Sequence, residues 1–212
     1  AKMIGQAASQ LGCTLSILEK KSGASLFPGP VQTGNWDEAD TLLHFAQGID
    51  VVILENEFVD ADALAELEQA GHVLRPSAEC IRLVQDKLTQ KQTLAAAGLP
   101  VAPFRAVQHP EDIAEAARDL GWPLVLKRRT LGYDGKGNAT VCNAADIATA
   151  WQRLQGDHAA LLVEQFCPFE RELAVMVSRG LNGESAVYPV VDTVQKDHIC
   201  HTVTAPAHLS PE

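Results

Sequence analysis

Hydrophobic positions along this chain come in short blocks separated by glycine, proline and acidic residues, and in the first half the blocks alternate in type. Met3 to Leu11 has helical spacing and stops at Gly12, where glycine commonly follows a helix. Cys13 to Leu18 reads as a strand ending at Glu19, and residues 22–36, rich in Gly, Pro and Ser, read as a loop. Asp37 is placed to cap a helix to about Gln47, Ile49 to Leu54 reads as a strand, Ala61 to Ala70 as a helix closed by Gly71, and Val73-Leu74 as a short strand. This alternation predicts a parallel sheet with helices on its faces. Ser77 caps a further helix that runs, with a break, through Asp86, Lys87 and Lys91 to Ala97. Gly98-Leu99-Pro100 stops it, and a domain boundary is expected there.

The second half changes rhythm. Pro103 to Val107 reads as a strand, Pro110 opens a helix with Glu111 and Asp112 in its first turn, and Gly121 ends it. Leu124-Val125-Leu126 is a continuous apolar run, expected as a strand covered on both faces. Asn138 to Cys142 returns as its partner, Asn143 caps a helix over Ala144 to Leu154, and Ala160 to Gln165 is another strand. Residues 101–165 thus form a strand–helix–strand–strand–helix–strand unit. Glu172 to Arg179 reads as one strand with Leu173, Val175 and Val177 on one face and Ala174, Met176 and Ser178 on the other, Asn182-Gly183 is a hairpin signal, and Ser185 to Val194 is its partner. His198 to Thr204 reads as a third antiparallel strand. His198 and His201 would stand on opposite faces of it, which disfavours a metal pair. An apolar sheet edge left open near Glu212, and a start already inside a helix at Ala1-Lys2-Met3, lead us to expect that the natural protein extends past both ends.

The 212 residues, 46% hydrophobic and 21% charged, are enough for one large or two smaller globular domains. A net charge of −10 argues against a general nucleic-acid surface. Cysteines at 13, 80, 142, 167 and 200 are odd in number and lack Cys-x-x-Cys spacing, so we expect reduced, mostly buried thiols and a cytoplasmic setting. No apolar run reaches membrane-spanning length and no signal peptide is visible.

The candidate chemistry centres on Leu124 to Asn138. Three cations, Lys127, Arg128 and Arg129, end the apolar run, and glycines at 132, 135 and 137 follow. A cationic strand end leading into a loop of exposed amides suits a triphosphate; the same pattern also fits an ordinary hairpin with solvated charges. The spacing is neither that of the P-loop nor that of the dinucleotide fingerprint. Glu55-Asn56-Glu57 follows a predicted strand at the end where open α/β sheets bind ligands, so its carboxylates either receive substrate hydroxyls or amines or favour the next helix N-terminus. Glu19 is open to the same two kinds of reading, as a ribose-holding carboxylate or a solvated one.

Four segments together carry a family resemblance: Gln85 to Lys91, Lys127 to Asn138, Glu170 to Met176 and Tyr188 to Val191. They resemble N5-carboxyaminoimidazole ribonucleotide synthetases, the ATP-grasp ATPase subunits of the purine-pathway phosphoribosylaminoimidazole carboxylase. The Arg-Arg-Thr-x-Gly-Tyr-Asp-Gly-x-Gly run is the most specific part. The resemblance implies an α/β ATP-grasp fold: an N-terminal parallel-sheet, Rossmann-like substrate domain with a linker helix (1–98), a small α+β lid (99–165) and the start of an antiparallel-sheet C-terminal subdomain (166–212). It implies ATP, Mg²⁺, bicarbonate and aminoimidazole ribonucleotide as ligands, and a homodimer. Lys87 and Lys127 are expected on the ATP phosphates, with Gly132, Tyr133, Asp134, Gly135, Lys136, Gly137 and Asn138 closing over them. Glu164, Gln165, Phe166 and Cys167 are expected to form the hinge that reads adenine, and Glu172 to hold the ribose. Glu57 and Tyr133 are expected beside aminoimidazole ribonucleotide. Gln195 stands where the family commonly has a nucleotide-contacting histidine, and the contact is carried over to it. The family's glycine-rich first turn would precede Ala1, and its magnesium ligands and catalytic residues would lie past Glu212. Two alternatives stay open: another ATP-grasp ligase, such as a formate-using transformylase or a biotin carboxylase, against which the Tyr133-Asp134 pair speaks, and a nucleotide-binding module without turnover.

Overall fold

The computed structural model describes residues 2–21, 29–132, 137–196 and 199–209. The chain divides into two compact units, Ala1–Gln90 and Lys91–Glu212.

The first unit runs α1 (Lys2–Gln10), β1 (Ile17–Glu19), β2 (Val31–Thr33), α2 (Ala39–Phe45), β3 (Val52–Ile53), α3 (Ala61–Gln69), β4 (Leu74–Arg75) and α4 (Ala78–Gln85). Its strand pairs, β1 with β2 and β3 with β4, are both parallel, as the alternation predicts. The strands are shorter than their apolar runs: only Ile17–Glu19 and Val52–Ile53 pair. Val31–Thr33, inside the stretch expected as loop, pairs with β1, because a parallel partner needs only extended backbone and not an apolar run. The core gathers Leu42, Val52, Val59, Leu64, Leu67, Leu74 and Ile81. Asp60 caps α3 by accepting the amides of Asp62 and Ala63, and Ser77 caps α4 through the amide of Cys80. Asp37 does not cap α2, whose N-cap is Glu38; its carboxylate instead pairs with Lys20 and accepts the Asp60 amide at 3.2 Å.

The helix α5 (Lys87–Ala96) follows α4 after a break at Asp86, which has extended backbone and caps α5 through the amides of Leu88 and Thr89. Gly12, Gly71, Gly98 and Gly121 all stand at positive φ after their helices, as expected.

In the second unit, β5 (Phe104–Val107), α6 (Pro110–Leu120), β6 (Leu124–Arg128), β7 (Asn138–Val141), a 3₁₀ turn (Ala144–Asp146), α7 (Ile147–Arg153) and β8 (Leu161–Gln165) form a four-stranded antiparallel sheet in the order β5-β8-β6-β7. Register sorts the side chains onto two faces. Leu126 opposes Val163 and Ala139, and Leu124 opposes Val141. These residues, with Val107 and Leu161, pack on Ile113, Ala116, Trp151 and Leu154 of the helical layer. The other face carries Phe104 opposite Glu164, Val125 opposite Glu164, and Lys127 opposite Leu162 and Asn138. Burial along β6 therefore alternates: Leu124 and Leu126 are fully buried while Val125 is only partly so. The strand covered on both faces is β8, where Leu161 to Glu164 are all buried.

Beyond it lie β9 (Glu172–Ala174), β10 (Val177–Arg179), β11 (Ser185–Val187), β12 (Val191–Lys196) and β13 (Ile199–Thr204). The expected long hairpin is there but broken in two: β10 pairs with β11 around Asn182-Gly183, and β9 pairs with β12, which also takes β13. Gly183 has φ +87, the conformation a tight hairpin turn demands. All five cysteines are free and exposed, which corrects the expectation of burial: each stands in a loop, at an element's end or on an outward position. No helix among the described residues is long and apolar enough to cross a membrane.

Candidate functional site

The sheet face away from α6 and α7 carries charge in a largely covered setting. Glu164 is 7% exposed, the one buried charged residue among the described ones. It sits on the central strand β8, so its carboxylate enters a surface framed by Val125, Lys127, Phe104 and Leu162. Two lysines meet it. Lys127, from the neighbouring strand, forms an ion pair with Oε1. Lys91, from α5, places Nζ 2.8 Å from Oε2 and 5.4 Å from the centre of the Phe104 ring. The Lys91 contact is one of charge, not a directed hydrogen bond, since Oε2 has no geometrically satisfactory donor. One carboxylate between two ammonium groups leaves a net positive charge at a low-dielectric surface, a setting that favours an incoming anion.

The loop between β6 and β7 leaves this face at Lys127 and returns at Asn138, which are register partners. Its neck is narrow: a Cβ on Gly132 would come 3.2 Å from the Cα of Gly137, and a Cβ on Gly137 would collide with Gly132. Glycine at both positions is what lets the two arms touch. Just before the neck, Leu131 adopts φ 55, the left-handed region that costs a side-chain-bearing residue of order 1 kcal/mol or more. Tyr133, Asp134, Gly135 and Lys136 lie outside the described residues, as does His198.

The expected hinge continues β8. The Gln165 amide donates to Pro103 O at 2.9 Å, the Phe166 amide to Pro123 O at 3.3 Å, and the Gln165 side chain to Leu120 O at 2.9 Å. These bonds fix the segment, while Phe166 and Cys167 stay exposed and no described residue accepts the Cys167 amide.

A second cluster lies on β9 and β12. Glu172 opposes Thr193, whose hydroxyl donates to Glu172 Oε1, and Gln195 Nε2 donates to the same oxygen at 2.7 Å. These three residues, with Phe169, Arg171 and Asp192, line a cavity of about 430 Å³. Arg171 is anchored there, donating to Asp192 Oδ1 from Nε (3.0 Å) and Nη2 (2.6 Å), and from Nη1 to His208 O (3.0 Å).

In the first unit Glu57 is exposed, in the turn after β3. The turn is built locally: Asn56 Oδ1 accepts the Phe58 amide, and Gln85 Nε2 donates to Glu57 O (2.6 Å) and Val59 O (2.7 Å). Glu55 has its carboxyl lowered below the usual range, chiefly by the hydrogen bond from Asn56. Lys87 is the first residue of α5.

The structure therefore joins Lys127 to Glu164 and Gln195 to Glu172, and it adds residues the sequence reading did not single out. Lys91 is one helical turn after Lys87, a spacing that puts both ammonium groups on one side of α5 and was visible in the sequence. Thr193 and Gln85 gave no such signal: their roles come from strand register and from a contact 28 residues away. Among the described residues no group of three His, Cys, Asp or Glu side chains is arranged to hold a metal ion.

Comparison with known proteins bears on all of this. Residues 92–212 match the ATP-grasp domain, and residues 1–85 match the ribonucleotide synthetase preATP-grasp domain. The chain is 41% identical over 212 residues to N5-carboxyaminoimidazole ribonucleotide synthase of Synechococcus elongatus, covering 99% of this chain and 53% of that protein. Its fold resembles the N5-carboxyaminoimidazole synthetase of Staphylococcus aureus complexed with ADP (TM-score 0.91, 27% identity, 98% of this chain and 56% of that one). It also resembles the Aspergillus clavatus synthase in complex with ADP and 5-aminoimidazole ribonucleotide (TM-score 0.83, 32% identity, 99% and 55%). The chain spans about half the length of these relatives. With more than half of its residues inside the ATP-grasp match, and the remainder matching the domain that precedes it, the chain belongs to the ATP-grasp family.

Proposed function

We propose that this chain is the nucleotide-gripping part of an ATP-dependent carbon–nitrogen ligase. The reaction carboxylates 5-aminoimidazole ribonucleotide with bicarbonate through carboxyphosphate, giving N5-carboxyaminoimidazole ribonucleotide, ADP and phosphate. The observation that carries the reading is the buried Glu164 between Lys91 and Lys127, on a sheet face bordered by a glycine-necked loop. The 41% identity to a synthase of this reaction supports the choice of substrate.

In this reading Lys127 moves from Glu164 to the nucleotide phosphates, with Lys87 as a second cation, and the loop from Gly132 to Asn138 covers them. Phosphoryl transfer asks a protein for positioning and charge neutralisation more than for covalent chemistry, and lysines with loop amides supply both. The hinge Glu164–Cys167 reads adenine. The Gln165 and Phe166 amides are already engaged, which leaves the Cys167 amide as the donor toward the base. Glu172, pre-aimed by Thr193 and Gln195, accepts the ribose hydroxyls; a carboxylate already held needs less ordering when the sugar arrives. Glu57 takes the amine-bearing ribonucleotide and Tyr133 approaches it from the loop. A closed lid keeps water from the labile carboxyphosphate. Magnesium, when bound, would neutralise phosphate charge. Five exposed, unpaired thiols fit the reducing cytosol, and the dimer is carried from the family resemblance.

The test is ADP release by the intact protein, with bicarbonate and aminoimidazole ribonucleotide each added or withheld. Release should need both, and Lys127→Met should lower turnover on the order of 10²-fold or more. ADP release that ignored the ribonucleotide but responded to another amine would refute the substrate assignment.

A further inference from the structure

Glu164 has one partner more than a buried carboxylate needs. A single ammonium would neutralise it, yet Lys91 and Lys127 both touch it, one on each oxygen. The two lysines are not equivalent. Lys127 is on a strand beside the glycine-necked loop, with its side chain 25% exposed. Lys91 is on a helix with its side chain 17% exposed, and it is also held over the Phe104 ring.

We infer that Lys91 is a positioning residue: it holds the charge of Glu164 so that Lys127 is free to leave for the nucleotide. This rests on the reading of the site given above. The physical reason is the cost of an unpaired buried charge. If Lys127 were the sole partner, moving it to a phosphate would strand a carboxylate that is 7% exposed, and that penalty would be charged against nucleotide binding. With Lys91 in place the carboxylate stays compensated in both states. Phe104 helps by keeping the ammonium near Glu164 in either state, since a cation over a ring face is attracted to it. Lys91 itself does not touch nucleotide in this account.

The experiment is a double-mutant cycle on the intact protein, with ADP and ATP affinity measured by calorimetry and turnover measured at saturating ATP. Lys91→Met should weaken ADP and ATP binding by roughly tenfold while turnover at saturation changes little, and Lys91→Arg should restore affinity. In an E164Q background the carboxylate no longer needs a cation, so adding K91M should weaken binding less than about twofold further. Melting temperature, read in parallel, checks that each variant is folded. If K91M costs the same affinity in both backgrounds, or lowers only the melting temperature, Lys91 is a packing residue and the inference is overturned. If the unaltered protein binds neither ADP nor ATP, the nucleotide reading itself falls, and this inference with it; binding by the unaltered protein with no loss in K91M sinks the inference alone.

Discussion

The two sheet regions of the second unit obey the same strand chemistry and end up in opposite physical states. In the four-stranded sheet, Leu124, Leu126, Val141 and Val163 are fully buried beneath two helices. In the strands from Glu172 to Thr204 no described residue is buried, and Val177, Val187, Val194 and Val203 are all more than half exposed. Apolar runs stand in both, Leu124 to Leu126 in one and Leu173 to Val177 in the other. Strand register decides which residues share a face, and a core additionally needs a second layer to lie on that face. The first sheet has α6 and α7 for this, and Glu164 with its two lysines stands on the side these two helices leave open.

Core truncation gives the largest contrast. Leu126→Ala removes a fully buried side chain wedged between Val163 and Ala139 and should cost about 2–5 kcal/mol in chemical denaturation. A loss below about 1 kcal/mol would mean that this layer repacks easily, and the comparison would weaken. A smaller effect in the same layer comes from adding volume. Gly156 lies against the Trp151 indole, whose Nε1 donates to Asp157 at 2.9 Å, and a Cβ there would overlap the ring. Gly156→Ala should cost about 1–3 kcal/mol, because the indole must shift and strain that bond. Tryptophan emission followed against denaturant reads the change, with an unchanged midpoint counting against this packing.

The difference between the two regions also marks how far the amino-acid pattern could be read. Helix ends were legible because they are local: Ser77 and Asn143 cap as read, and Asn182-Gly183 turns as read. Residues 104–165 follow the expected order of elements, since glycine, proline and capping residues punctuate each one locally, even though β5 finds its partner β8 only at the far end of that stretch. Strand lengths were not legible. Cys13–Leu18 and Ile49–Leu54 read as strands of six residues each but pair over three and two, as pairing depends on the partner's length. Asp37 has the composition of a cap and serves a tertiary contact with Lys20 and Asp60 instead, which no local rule reveals. At the site, Lys127, Glu164, Glu172 and Gln195 were singled out through resemblance, and the structure shows how two of these are held. The Lys91 contact was foreseeable only as a helical spacing from Lys87, and its partner Glu164 lies 73 positions further along the chain, so distance in sequence hid the pair.

The helical layer can be probed a third way, through pH. Asp112 accepts the amides of Gln108 and His109 at 2.7 and 2.9 Å at the start of α6, and these bonds, Gln108's first, hold its carboxyl below the usual carboxylate range. A carboxyl lowered in the folded state contributes stability that is present above its unfolded pKa and is lost as pH falls through the folded one. Denaturation midpoints should therefore drop as pH falls below the ordinary aspartate range, and Asp112→Ala should flatten that drop while costing about 1 kcal/mol near neutrality, as a lost helix cap does. An acid limb of unchanged slope in the variant would assign the pH dependence to other carboxylates.

The smallest expected effect is the most informative about the exposed region. Val203 stands on β13, the edge of the sheet β13-β12-β9, and is 57% exposed. Its register partner is Thr193, the residue that donates to Glu172. Val203→Thr keeps the branched shape that suits a strand and exchanges a methyl for a hydroxyl, so on a solvated face it should change stability by less than about 0.5 kcal/mol. The same substitution at a covered face would bury a hydroxyl without a partner and cost about 1–3 kcal/mol. Measured on the intact protein, a small value says that this face meets water there too. A value like that of a core position says that something lies over it, and that the contrast between the two sheets belongs to this stretch of chain and not to the molecule in which it works. Because Thr193 faces Val203 across the ladder, the second outcome should also register as altered nucleotide affinity through Glu172, whereas the first should leave affinity untouched.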